Sequence, residues 1–180
     1  IFENSRPDGI GVLEITPDSR LTTSTADLSK QFDLLMKIRD KYSMLHLDVL
    51  ILIYHFAKLC SGAILEIGAF VGGATIAAAL GVRDSGQEKK LISVEPGGSV
   101  KHKRLGTRNI LRDLERNLAR QRVSDMVTLI KGRSFAPETI SAVHQALASN
   151  EIGLLILDAA FAELDSRYLA GEATEHARTW

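Results

Sequence analysis

The run Ile64–Leu65–Glu66–Ile67–Gly68–Ala69–Phe70–Val71–Gly72–Gly73–Ala74–Thr75 decides the fold. It reads as a short apolar strand, a glycine-rich turn and the opening of a helix, with Ala63–Ile67 as the strand and Ala74–Leu80 as the helix. Gly68 and Gly72 have no Cβ, so the backbone can turn tightly there and let a ligand approach. Glycines also serve simply to turn a strand into a helix, and that reading stays open at this point. The spacing narrows the choice. A dinucleotide fingerprint needs glycines at positions one, three and six. Here the third position is Phe70, and the pattern is Glu-x-Gly-x-x-x-Gly. Glu66 puts a carboxylate beside whatever the turn holds. Two unit charges about 4 Å apart interact by roughly 1 kcal/mol in water and several-fold more in a partly buried site. A pyrophosphate is therefore disfavoured, and a ligand bearing an ammonium or sulfonium is favoured.

The alternation continues outward. Leu91–Val94 is a second strand ending at Glu95, and Pro96–Gly97–Gly98 then break the chain. A helix over Thr107–Arg122, a strand over Val127–Ile130, a helix over Pro137–Ala148 with proline in its first turn, and a strand over Gly153–Leu157 follow. Strands this apolar, alternating with helices, predict a Rossmann-like α/β fold, a parallel sheet with helices on both faces. Right-handed crossovers bring the strand C-termini to one edge, where α/β ligands bind. Upstream, Leu28, Phe32, Leu35 and Ile38 recur at helical spacing across Thr25–Lys41. Met44–Leu59 predicts a second helix, apolar on most sides and so expected to be buried. Residues 1–24, with Pro7, Gly9, Gly11 and Pro17 around the apolar Ile10–Ile15, read as an irregular arm with room for one strand. The chain divides into this arm, N-terminal helices over 25–61 and an α/β core over 62–180.

Composition agrees with one ordinary folded domain. The 180 residues are 45% hydrophobic and 24% charged, which argues against wholesale disorder. Lys+Arg and Asp+Glu are both 22, so the net charge of +0 gives no general nucleic-acid coat. The single Cys60 excludes an internal disulfide framework or a cysteine-clustered zinc site, and reads as core. No signal peptide is visible, and the most apolar run, Leu47–Cys60, is too short for a membrane span and carries Asp48, His55 and Lys58. The expectation is a soluble, cytoplasmic protein with no membrane partner. Ile1 in place of methionine leads us to expect a processed, trimmed or incomplete N-terminus.

Glu95 is the second informative acid, 27 residues after Gly68. A carboxylate at this strand end commonly accepts hydrogen bonds from the ribose hydroxyls of an adenosine ligand. The plainer alternative is a solvated strand-end acid.

Glu66-x-Gly68-x-x-x-Gly72-x-x-Thr75, followed by Glu95, Gly132–Arg133–Ser134 and Asp158, resembles a class I S-adenosylmethionine (SAM)-dependent methyltransferase. The Gly-Ala-Phe-Val-Gly-Gly form is similar to the small-molecule O-methyltransferases, the catechol type included, and the resemblance covers roughly residues 45–165. It implies SAM as cofactor, with Glu66, Gly68, Ala69 and Gly72 at the methionine end and Glu95 at the ribose. It implies that Gly132, Arg133 and Ser134 border the adenine. Thr75 joins that site or simply caps or packs its helix. Asp158 falls where the family places an acid or polar residue beside the methyl-transfer centre, and in metal-dependent members an aspartate here ligates magnesium. The implied reaction is methyl transfer to a hydroxyl of a small molecule. A nicotinamide-dependent oxidoreductase is the rival enzyme, disfavoured by Phe70 and Glu66. A non-catalytic methyltransferase-like binding module is the other rival. The N-terminal helices are expected to cover the site or to form a homodimer contact.

Asp158 and His102 are the catalytic candidates. Asp158 either acts on the acceptor or metal, or caps the following helix. His102, in the loop after Glu95, is a candidate general base. His55, within an apolar helix, reads as a structural histidine. Lys101–Arg122 carries eight basic residues against Asp113 and Glu115, a net +6, with Arg108, Arg112, Arg116 and Arg120 at i,i+4 spacing. The readings are a solvated helix face, or a surface for an anionic substrate or acidic partner; nucleic acid is disfavoured because aromatics are 6% and none interleave. The family sheet continues past its fourth strand with a fifth and an antiparallel hairpin, whereas only 22 residues follow Asp158 and read as polar helix or loop. Asp165 is no obvious substitute ligand. We therefore expect a chain without the family's C-terminal strands, either a fragment or a joining of non-contiguous segments.

Overall fold

The strand carrying Glu66, β1 (Ala63–Ile67), lies inside the sheet and pairs in parallel on both sides, with β2 (Leu91–Glu95) and with β4 (Ile152–Leu157). β3 (Val127–Lys131) pairs in parallel with β2, giving the order β3–β2–β1–β4. This is a computed structural model, and it describes residues 25–158. The expected arm over 1–24, the expected polar segment after Asp158 and Asp165 lie outside the described residues. The chain steps outward from β1 to β2 to β3, then returns to the far side of β1. That reversal makes the carboxyl ends of β1 and β4 the switch point of the sheet, the place where open α/β sheets bind ligands.

Every residue of β1 and β2 is buried, the polar Glu66, Ser93 and Glu95 along with the apolar ones. Ile64 and Leu91 face a core built with α1 (Thr25–Tyr42), α2 (Leu47–Leu59), α3 (Gly73–Ser85) and α4 (Ile110–Arg120). Leu65, Ile67, Ile92 and Val94 face the other way, onto Val143 of α5 (Pro137–Leu147). Helices thus cover both faces. Two adjacent lysines tie this arrangement together. Lys89 Nζ donates to the Ala57 and Lys58 carbonyls at the end of α2, each at 2.9 Å. Lys90 Nζ donates to the Ala146 and Leu147 carbonyls at the end of α5, at 2.8 and 3.3 Å. Both place a cation where a helix leaves carbonyls unpaired and its dipole is negative.

Three expectations are corrected. α2 is buried along one side only; Leu52, His55, Phe56 and Leu59 are exposed, and Leu59 is 70% so. Cys60 is half-buried rather than core. α4 begins at Ile110, not Thr107, because Thr107 exchanges backbone hydrogen bonds with Val100 and Asn109 takes the cap, its side chain accepting from the Arg112 N–H at 3.0 Å. Among the described residues no helix is long and apolar enough to cross a membrane.

α2 and α3 pack backbone to backbone at Gly81, where an added Cβ would sit 2.3 Å from the Tyr54 carbonyl oxygen. Alanine is the better helix former by about 1 kcal/mol, but overpacking against rigid backbone costs about 1–3 kcal/mol. Gly81→Ala is therefore expected to lower stability in urea denaturation; a gain would mean the two helices can separate freely.

Candidate active site

A turn with three left-handed residues joins β1 to α3: Gly68 (φ 94°), Phe70 (φ 50°) and Gly72 (φ 99°). Phe70 pays about 1 kcal/mol or more for that conformation, being neither Gly nor Asn. Its N–H is held by Glu95, whose Oε2 accepts it at 2.7 Å while Oε1 accepts the Gly97 N–H at 2.8 Å. Charge-assisted bonds of this kind offset the strain. The Gly68 N–H donates to the Val94 carbonyl at 2.9 Å, and the Asn117 amide donates to the Val71 carbonyl at 2.9 Å. Gly72 is needed twice over, for its φ and because a Cβ would meet Leu114 Cδ1 at 2.9 Å. Ala69 is buried, its carbonyl accepting the Gly72 N–H.

Glu66 lies under this turn, with no exposed surface. Its Oε2 accepts the Thr75 hydroxyl at 2.6 Å and the Ser93 hydroxyl at 2.5 Å, while its buried Oε1 has no partner among the described residues. Burial pushes the carboxyl up to about 7; the Ser93 and Thr75 hydroxyls hold it down in part, and the nearby charges of Asp158 and Glu95 raise it. Glu95 is also held above the ordinary carboxylate range by burial, against the lowering effect of the Gly97 and Phe70 N–H groups.

Asp158 follows β4, its N–H donating to the Ile67 carbonyl at 3.0 Å. The residue is exposed, yet the strand end around it desolvates its carboxyl enough to raise its pKa. The three acids therefore share one sheet end. Arg133 and Ser134 follow Gly132, whose N–H donates to the Glu95 carbonyl at 3.1 Å, so they adjoin the same edge. The Arg133 guanidinium lies over the Phe135 ring, 5.9 Å from its centre.

His102 is arranged differently from a general base. Its Nδ1 accepts the Arg104 and Leu105 N–H groups at 3.2 and 3.1 Å, which occupies the lone pair a base would use. Ser93 and Asn117 were missed by sequence reasoning. The signals were a lone hydroxyl in Leu-Ile-Ser-Val-Glu, and an asparagine on the Leu114–Leu118 side of an amphipathic helix.

The donor set suits a cationic ligand with hydroxyls. Both Glu95 oxygens keep acceptor capacity after their backbone bonds, and Glu66 Oε1 is an unpaired buried acceptor. Among the described residues no group of three His, Cys, Asp or Glu side chains is placed to hold a metal.

A raised acid pKa carries a definite sign. Between about 4.5 and about 7 the folded protein keeps a proton on Glu66 that the unfolded chain releases. The corresponding stability is present below pH 4.5 and lost as pH rises through about 7. Glu66→Gln lacks this loss, so its stability relative to wild type is expected to rise by roughly 2–3 kcal/mol between pH 4.5 and pH 8. Urea denaturation of both proteins across that range checks it, and a flat difference would remove Glu66 titration from the account.

No protein-family model matches this sequence, and no curated protein matches it. Solved structures do. The O-methyltransferase TomG of Streptomyces achromogenes, in complex with SAM, is 17% identical with a TM-score of 0.51, over 80% of this chain and 59% of that one. The SAH-bound methyltransferase of Podospora anserina is 20% identical with a TM-score of 0.47, over 81% and 56%. The Bacillus cereus O-methyltransferase in complex with SAH is 16% identical with a TM-score of 0.47, over 86% and 62%. The chain spans about three fifths of the length of the solved structures it matches. With its parallel four-stranded α/β sheet preceded by two helices, the chain has the class I methyltransferase fold.

Proposed function

We propose that the protein is a SAM-dependent methyltransferase that methylates a hydroxyl group of a small molecule. One observation carries the reading: three carboxylates, Glu66, Glu95 and Asp158, gather with a glycine turn at the sheet end where the strand order reverses. The bound cofactor supplies an already activated methyl group on a cationic sulfur. The protein then has to bind, align and manage one proton.

Each residue has a part. Glu95 is pre-aimed by two backbone N–H groups and offers its remaining lone pairs to the ribose hydroxyls. Glu66 lends negative potential beneath the turn, and binding a cation draws it towards its ionised form. The turn 68–72 brings backbone close to the methionine end, and Arg133 and Ser134 flank the adenine side. Asp158 accepts or orients the acceptor hydroxyl proton; its raised pKa makes it the stronger base. A nicotinamide dinucleotide fits less well, since its pyrophosphate would face the same three acids.

S-adenosylhomocysteine, at about 100 times its dissociation constant, is expected to stabilise the protein by roughly 2.7 kcal/mol, read as a rise in melting temperature. NAD at equal concentration is expected to give no shift. Stabilisation by NAD alone would overturn the cofactor assignment.

Glu95→Ala is expected to weaken S-adenosylhomocysteine about 10-fold to several hundred-fold by calorimetry, and to lower stability in urea as well, because the Phe70 and Gly97 N–H groups lose their acceptor. Asp158→Asn is expected to lower methyl transfer by roughly 100-fold while leaving cofactor affinity nearly constant. Full activity in that variant would remove Asp158 from the methyl-transfer step.

A further inference from the structure

The chain leaving Glu95 forms a short hairpin that the cofactor reading does not use. Val100 and Thr107 exchange two backbone hydrogen bonds, at 2.9 and 2.8 Å, and close the loop between them. The loop is built, not loose. His102 Nδ1 accepts two of its N–H groups, and Leu105 is buried. Gly106 lies so close that a Cβ there would be 2.7 Å from the His102 carbonyl oxygen. Arg104 anchors the loop to the end of α1, donating to the Arg39, Asp40 and Ser43 carbonyls at 2.8, 3.1 and 2.8 Å.

The charge of Arg104 is thereby used on a helix terminus. Lys101, Lys103 and Arg108 remain, all exposed, lining an open depression of about 720 Å³ together with His102. The ion pairs nearby use Arg112 and Arg116 on Asp113, and Lys131 on Glu115; among the described residues none involves Lys101, Lys103 or Arg108. With Nδ1 occupied as an acceptor of N–H groups, the His102 proton sits on Nε2, which makes that atom a donor. Three cations and a donor in one depression are chemistry for a multiply charged anion.

The depression also adjoins the candidate site. Gly97 donates to Glu95, the Gly98 carbonyl accepts the Ile110 N–H, and the hairpin begins two residues on. Ser43, which receives Arg104, lies against Gly73, the first residue of α3 after the glycine turn.

We propose that the 100–108 hairpin is an anion subsite for a phosphate-class group, carried by the molecule that receives the methyl. This rests on the methyl-transfer reading and names its substrate class: a hydroxyl compound bearing phosphate. A nucleic acid is the poorer occupant, because no Phe, Tyr or Trp lines the depression for base stacking.

The test is calorimetric titration of the protein with pyrophosphate at low ionic strength, repeated with Lys101→Gln/Lys103→Gln/Arg108→Gln. The substituted side chains are exposed, and circular dichroism checks the fold. Pyrophosphate is expected to bind wild type and to lose about tenfold in affinity per removed cation, while S-adenosylhomocysteine affinity stays within about twofold. Wild type indifferent to pyrophosphate, or a triple variant that binds it equally well, overturns the subsite and leaves the cofactor reading intact. Citrate binding as tightly as pyrophosphate overturns the phosphate class. Single-stranded oligothymidylate binding about 100-fold more tightly than pyrophosphate overturns the small-molecule occupant. Pyrophosphate held by a protein that ignores S-adenosylhomocysteine overturns the methyl acceptor as its carrier.

Discussion

A carboxyl group in the middle of a sheet, with no cation beside it among the described residues, is the constraint around which this structure is arranged. Glu66 sits at the register of Ser93 on β2 and beneath Thr75 on α3, and both hydroxyls serve one of its oxygens. Burying such a charge unpaired costs several kcal/mol, so the group is driven towards its neutral form. The hydroxyls also fix geometry. Thr75 pins the first turn of α3 to β1, Glu95 grips the turn at Phe70, and Asn117 holds it at Val71. The segment is thus fastened before, within and after its left-handed residues. A cation arriving above it would meet a site whose shape is already set, and the unfavourable burial would become favourable pairing.

Much of this was legible in the residues. β1 stands where the apolar run Ala63–Ile67 put it, and β2 runs to Glu95 because the apolar alternation stops at an acid followed by Pro96 and Gly97. The strand-helix alternation carried the parallel topology. Errors came where long-range contacts overrode local pattern. Thr107 has a helix-like following sequence, but pairing with Val100 removes it from α4. α2 is apolar around most of its circumference, yet among the described residues one side alone has a neighbour. At the site, type and order of the acids were readable from strand ends, whereas Ser93, Asn117 and the role of His102 depend on partners remote in sequence. Arg104 reaching 61 to 65 residues back to α1 is of that kind.

The net charge of +0 conceals a division of charge at the ligand edge. Glu66, Glu95 and Asp158 lie at the strand ends, and Lys101, Lys103 and Arg108 stand on the hairpin that leaves one of them. Fields of opposite sign over adjacent patches orient a dipolar ligand before contact, over distances of about the 8 Å screening length at physiological salt. A molecule with a cationic end and an anionic end would be turned the right way round as it approached.

The position of β4 has a consequence for how the chain comes together. β1 pairs with β2 across 27 residues, Ile64 to Leu91, but with β4 across 90, Ile64 to Leu154. The first pairing closes a modest loop; the second must wait for two more crossovers, and pairing at such separation is intrinsically slow. During synthesis, at about 5–20 residues per second, β1 therefore spends several seconds with one row of amides and carbonyls unclaimed. Through that interval the edge of β1 is open to any other extended segment, whether from this chain or from a neighbouring nascent one. The last of the four described strands to be made is the one that ends this exposure.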